Sequence, residues 1–220
     1  MITFTTDSEK LARGLHNALA FIPATSRLPW VYFRVYPNVG KLLIAGTDGY
    51  AVGMATVALT DYVGPPEGAE FLVSKGKADA KTAEGAAGLE RTVRIAGKGH
   101  CDVSTDGVTV EVAPMGGDAL RADITPAPEH FAAFQALTDL MGVAEKRDES
   151  IPGVVCVDPA LLARLSKVKA DKAQGRMADL LFGDGPLDPV LVKVGPDFRG
   201  LVMPIDREVN GKNVGEDGLW

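Results

Sequence analysis

Apolar periodicity switches between two and 3.6 residues in an order that runs twice along the chain, and this order limits the fold more than any single motif. Residues 2–6 read as a strand, and Asp7 or Ser8 is placed to cap a helix that runs to about Phe21 and is ended by Pro23. Leu11, Leu15, Ala18 and Ile22 share one helical face, with Lys10, Arg13 and Asn17 on the other. Residues 31–36 and 41–45 follow as β-rich runs joined by the turn-forming Pro37-Asn38-Val39-Gly40, and residues 51–59 make a further run. After Gly64-Pro65-Pro66 comes a strand at residues 70–73. Residues 74–88, rich in Ala and Lys, predict a helix weakened by Gly76 and Gly85. Strand-like runs at residues 92–96, 101–104 and 108–112 complete the first half.

The second half reads in the same order. It has a strand at residues 121–124, a helix at 128–144 with Phe131, Phe134, Leu137 and Met141 as its stripe, and a strand at 154–157. A helix from Asp158 carries Leu161, Leu165 and Val168, and strands follow at 178–182, 190–194 and 200–203. Two α+β halves in tandem are therefore expected, with a seam near residues 114–118. The domains would be residues 1–115 and 116–208, with 209–220 a tail; no matching sequence period accompanies the repeat.

With 220 residues the chain could be one large domain or two of about a hundred residues each, and either can bury a sound core; length alone does not choose. No apolar run reaches a membrane-spanning length, and the N-terminus lacks a basic region followed by an apolar stretch, so a cytoplasmic protein is expected. Cys101 and Cys156 each lie in an apolar run; buried thiols are the favoured reading, a disulfide the alternative. His16, His100 and His130 have no metal-ligand spacing, so neither metal nor cofactor is expected. There is no G-x-S-x-G elbow, P-loop or G-x-G-x-x-G, and the adjacent His100 and Cys101 would point to opposite faces of a strand. An enzyme is not expected, and Asp48 reads as a turn cap.

The net charge of −6 opposes nucleic-acid binding, but its distribution is uneven. Arg164, Lys167, Lys169, Lys172 and Arg176 face one acid, Asp171, in a short stretch.

Two segments carry a resemblance. Residues 42–52, LLIAGTDGYAV, resemble the strand and turn of bacterial β clamps, the DNA sliding clamps, where Ala-Thr-Asp-Gly-His/Tyr-Arg-Leu recurs. Residues 187–207, LDPVLVKVGPDFRGLVMPIDR, resemble the end of the same clamps, which closes on Met-Pro-Met-Arg. The resemblance implies an α+β fold of two tandem DNA-clamp domains, each with two helices packed on antiparallel sheets, in a ring that encircles duplex DNA and holds a polymerase through a hydrophobic pocket. Carried over, one pocket wall is Thr47, Gly49, Tyr50, Ala51 and Val52, and the other is Met203, Pro204, Ile205 and Asp206. An adaptable Met-Pro edge suits a Leu-Phe plug from the short linear motifs of polymerases and clamp loaders. The sequence departs at Ala51, where the family often has Arg, and at Asp206, where it has a base, which alters the polar rim.

Bacterial clamps of this kind have three domains per chain and six per ring. Two domains per chain imply a homotrimer, as in a phage-type clamp. Helices would line the hole, with Lys10, Arg13, Lys75, Lys77, Lys81, Arg164, Lys167 and Lys169 in loose contact with phosphates and Arg27 at the rim; individually each could be a solvated surface residue. The helix from residue 128 departs from this, offering Glu129 and Asp139. Such attraction reads no base sequence. Residues 216–220, ending Leu219-Trp220, either pack as a tail or dock in a pocket. The rival reading is a non-catalytic adaptor or phage structural protein on the same duplicated fold.

Overall fold

The Asp7 carboxylate opens the first helix by accepting a hydrogen bond from Lys10 N at 2.8 Å, as the sequence predicts. The computed structural model describes residues 1–79, 82–146, 155–170 and 177–206. In these, β1 (Ile2–Asp7) leads into α1 (Ser8–Leu19), β2 (Trp30–Tyr36), β3 (Lys41–Thr47) and β4 (Ala51–Val63). A second series, β5 (Ala69–Ser74), α2 (Gly85–Ala96), β6 (His100–Thr105), β7 (Thr109–Pro114) and β8 (Leu120–Thr125), has the same order. The chain continues through α3 (Phe131–Glu145), α4 (Pro159–Leu165), β9 (Asp179–Leu181), β10 (Val190–Val194) and β11 (Phe198–Val202).

All pairings are antiparallel, and the first eight strands close on themselves in the order β1-β6-β7-β8-β5-β2-β3-β4, with β4 returning to β1. Each series follows one rule: its first strand pairs with its own last strand (β1 with β4, β5 with β8) and with the second strand of the other series (β1 with β6, β5 with β2). The repeat visible in the structure is thus β-α-β-β-β, twice within the first 125 residues. Closure leaves the body few open edges. Among the described residues a third series follows, in which α4 precedes β9, β10 and β11, and Ile205 N donates to Cys156 O at 2.7 Å, laying the segment before α4 beside the chain after β11. β4 is long because it serves three partners: β3 along Val52–Ala58, β11 along Ala51–Ala55 and β1 near its end.

Among the described residues the closed body that ends at Thr125 holds eight strands, and three follow it. The turn at residues 114–118 joins β7 to β8, neighbours in one sheet. Residues 75–79 and 82–84 are not helical where a helix was expected; Gly76 (φ +65°) and Gly85 (φ +58°) take left-handed conformations with backbone packed against both. α2 instead starts at Gly85 and absorbs residues 92–96, read from sequence as a strand. Ala86, Leu89 and Val93 recur at helical spacing and are buried against α1, and this outweighs the β-branched character of the segment. Residues 155–157 form no regular strand, and Val154 lies outside the described residues.

Alternation along β2 separates two cores. Val31, Phe33 and Val35 face the core shared with Leu11, Leu15, Leu89 and Val93 of α1 and α2, whereas Tyr32 faces Phe134 and Met141 of α3 on the opposite side. Leu161 of α4 joins Phe21, Val192 and Phe198, on the α1 side. Three helices thus share one face, and α3 covers the other. The glycine row Gly46-Gly53-Gly200 lets the end of α1 lie close to the sheet: a Cβ on Gly53 would enter the Phe21 ring, and one on Gly46 would meet Ala18 O. Cys101 and Cys156 are both free thiols, and burial pushes Cys101 up to about 12. Among the described residues no helix is long and apolar enough to cross a membrane, and no cluster of metal-ligating side chains occurs.

Candidate functional site

The turn between β3 and β4 is built by its own side chains. Thr47 Oγ1 donates to Ala51 O at 2.8 Å and accepts from Gly49 N at 3.0 Å. Asp48 Oδ1 accepts from Tyr50 N and Ala51 N, both at 3.0 Å, and Gly49 supplies the positive φ of +93°. The other carboxylate oxygen, Oδ2, lies 2.6 Å from Arg164 Nη1, a close charge contact outside hydrogen-bonding alignment. α4 therefore grips the turn from outside, and Tyr50 at its tip is 69% exposed.

The second segment arrives by strand pairing. Leu201 lies opposite Val52 and Val202 opposite Ala51, and Met203 N continues the ladder by donating to Tyr50 O at 3.1 Å. Thr47, Gly49, Tyr50, Ala51 and Val52 thus adjoin Met203, Pro204, Ile205 and Asp206 at the junction of the eight-stranded body and the three-stranded addition. Access is uneven. Thr47, Ala51 and Val52 are buried to within 2% of complete, Gly49 and Tyr50 are exposed, and residues 203–206 are half-buried. The accessible surface of the junction is Gly49 and Tyr50 with Met203, Pro204 and Ile205, edged by Asp206.

The basic residues divide. Lys10, Lys167 and Lys169 are exposed around one side of α1, because the segment after α4 is docked along that helix. Asn17 holds it, its amide donating to Lys169 O at 3.1 Å and accepting from Lys169 N at 2.8 Å, and a His16 ring nitrogen lies 3.0 Å from Lys167 O. Asn17, placed by sequence on the outer face, is consequently buried. Lys75 is half-buried, its Nζ donating to Ile22 O, and burial followed by the charge of Lys167 holds its pKa below the usual lysine value. His16 is likewise lowered, by burial and then by Lys169. His16, Lys75, Lys167 and Lys169 line one groove.

Other basic charges are committed internally. Arg164 is the partner of Asp48, with its side chain only 14% exposed, and Arg13 pairs with Asp197 at 3.3 Å. Lys77 is exposed on the loop before α2 and Arg27 on the loop before β2, while Lys81 lies outside the described residues, as does the tail with Leu219 and Trp220. Sequence reading missed Arg94 and Lys98, which line a depression with Arg13 and Lys169. The apolar spacing of Ala86, Leu89 and Val93 could have found them by placing Arg94 on an outer helical face. Glu9 lines the same depression and Glu90 pairs with Arg94 at 3.0 Å, so the face is mixed. α3, with Asp139, lies on the opposite side of the sheet and cannot line this face with α1 and α2.

No family model and no curated protein matches the sequence. Solved structures do match. The DNA polymerase III beta subunit of Thermotoga maritima covers 94% of this chain with a TM-score of 0.55 at 12% identity, over 65% of its own length. The Helicobacter pylori beta clamp bound to a DNA ligase peptide covers 93% with a TM-score of 0.64 at 11% identity, over 65% of its length. The DNA polymerase sliding clamp of Pseudomonas aeruginosa covers 93% with a TM-score of 0.63 at 14% identity, over 67% of its length. What this chain shares with them is the fold, and it spans about two thirds of the length of each.

Proposed function

We propose that this chain is a DNA sliding clamp, a non-catalytic processivity factor that encircles duplex DNA and tethers a polymerase. The observation that carries the reading is the meeting of the Thr47–Val52 wall with the Met203–Asp206 wall at the β4–β11 junction of a clamp fold. Tyr50, Met203, Pro204 and Ile205 receive the apolar motif of a polymerase or loader, and the exposed lysines around α1 attract phosphates without reading sequence. In this reading the DNA-facing set is Lys10, Lys77, Lys167 and Lys169, joined by Lys98, with the half-buried Lys75 beside them and Arg27 at the rim; Arg13 and Arg164 are left out because they pair with Asp197 and Asp48. The domain boundary falls after β8, since that strand pairs with β7 and β5.

The ring is closed by copies of this chain. Two full domains per chain make six from three copies; a domain and a half, the strand count of the described residues, makes six from four. Light scattering should give three or four times the 23.1 kDa chain mass, and a strict monomer at high concentration would count against the ring. Met203→Ala or Tyr50→Ala should abolish stimulation of the polymerase while leaving the fold intact.

A second reading, a non-catalytic adaptor on the same fold, is favoured by one observation: Thr47, Ala51 and Val52 present almost no surface. An adaptor would neither stimulate a polymerase nor stay on closed circular DNA.

A further inference from the structure

α3 lies where the floor of the proposed pocket would open. The floor is a row across three strand pairings, Thr47 opposite Val52, Val52 opposite Leu201 and Leu201 opposite Leu191. The adjacent row on the same face is Tyr32-Ala45-Met54-Arg199. α3 is anchored at both ends of this second row. Phe134 stacks on Tyr32 with ring centroids 4.9 Å apart, and Glu145 accepts from Arg199 Nε at 2.9 Å. The rise from Phe134 to Glu145 is roughly 16 Å, and the three strand spacings from β2 to β11 are roughly 14 Å. The helix therefore runs across the strands, and Val52, Leu191 and Leu201 are buried in one cluster with its Phe134, Met141 and Ala144.

Among the described residues the attachment is apolar and its polar anchor to the sheet is the half-exposed Glu145–Arg199 pair, while Trp30 stacks on His130 at the entry to the helix. An aromatic side chain on a flat apolar face is also what a partner's Leu-Phe motif would offer.

We propose that α3 occupies in cis the surface on which a partner's apolar peptide docks, so that α3 docking and peptide binding exclude one another. The proposal rests on the peptide-pocket reading and adds its regulation. Tyr50, Met203 and Ile205 stay accessible as a first landing edge, and full engagement of Val52 and Leu201 requires α3 to leave the Tyr32-Ala45-Met54-Arg199 row. The apparent affinity is then reduced by the fraction of molecules in which α3 is docked.

The test titrates a fluorescein-labelled synthetic peptide with a Leu-Phe core into the full chain, Glu145→Gln, Phe134→Ala and Met203→Ala, following anisotropy, with amide hydrogen exchange of residues 131–145 measured with and without peptide. Glu145→Gln should tighten binding about two- to fivefold, as expected for loss of a half-exposed ion pair, and Phe134→Ala at least tenfold. Saturating peptide should speed exchange in α3 and leave α1 unchanged. Since Phe134→Ala could also disturb folding, the surface change Glu145→Gln and the exchange measurement each decide the matter alone. Binding that Met203→Ala abolishes, with neither tightening by Glu145→Gln nor faster exchange in α3, would overturn the inference and leave the pocket reading standing. No binding by any of the four proteins, or binding indifferent to Met203→Ala, would overturn the pocket reading itself.

Discussion

Asp48 and Arg164, far apart in sequence, meet at 2.6 Å with their side chains 9% and 14% exposed, and so tie the Thr-Asp-Gly turn to α4. The carboxylate serves two ends: one oxygen orders the turn through Tyr50 N and Ala51 N, and the other neutralises a guanidinium that would otherwise be buried alone. Removing one partner of such a pair strands the other charge, so Arg164→Ala and Asp48→Ala should each lower stability by about 3 kcal/mol in urea unfolding. The double variant should lose less than the sum of the two. Additive losses would mean that the pair is not a coupled unit.

Gly53 shows how tightly α1 is seated. A methyl group there meets the Phe21 ring in an already filled core, so Gly53→Ala should cost about 1–3 kcal/mol as an overpacking change. Combining it with Phe21→Leu should recover part of the loss, read from the same unfolding curves.

His16 gives the docked segment a pH dependence. Its folded pKa lies below the unfolded value because burial and Lys169 oppose the charged ring, so the unfolded chain binds the proton first. The His16 contribution to stability is present above the unfolded value near 6.5, falls as pH drops below it, and levels off beneath the folded pKa. Glu90, 3.8 Å away, and the Lys167 carbonyl soften the effect, and Arg94 adds to it. Urea midpoints should therefore drop more between pH 7 and pH 5 for the wild type than for His16→Gln; equal drops would remove His16 as the cause.

Much of this was legible in the sequence where one local signal dominated. The cap at Asp7, the β2–β3 hairpin and the α3 stripe follow from capping and period alone, and the two junction segments from a short resemblance. What was not legible was decided by tertiary contact. Residues 92–96 look like a strand but are helical because Leu89 and Val93 pack on α1. Arg164 looks like part of a basic stripe, yet its partner is over a hundred residues away. The face taken by α3 could not be read from its stripe, since either side of the sheet offers an apolar surface; strand alternation at Tyr32 decides it. The β-α-β-β-β repeat left no sequence period and appears only in strand pairing.

Lysines that attract phosphates release counterions, so the salt dependence of DNA retention counts them. Charge removal at Lys10, Lys167 and Lys169 should lower the slope of log affinity against log salt by about 0.9 for each lysine that contacts a phosphate. Asp139→Asn on α3, on the other face, should leave the slope unchanged.

The most direct test of the clamp reading is topological. Protein loaded on nicked circular duplex DNA by a clamp loader with ATP should stay with the circle through gel filtration at moderate salt, and should be released when the circle is cut once with a restriction enzyme. Equal retention on circular and linear DNA, or no retention on either, would contradict it.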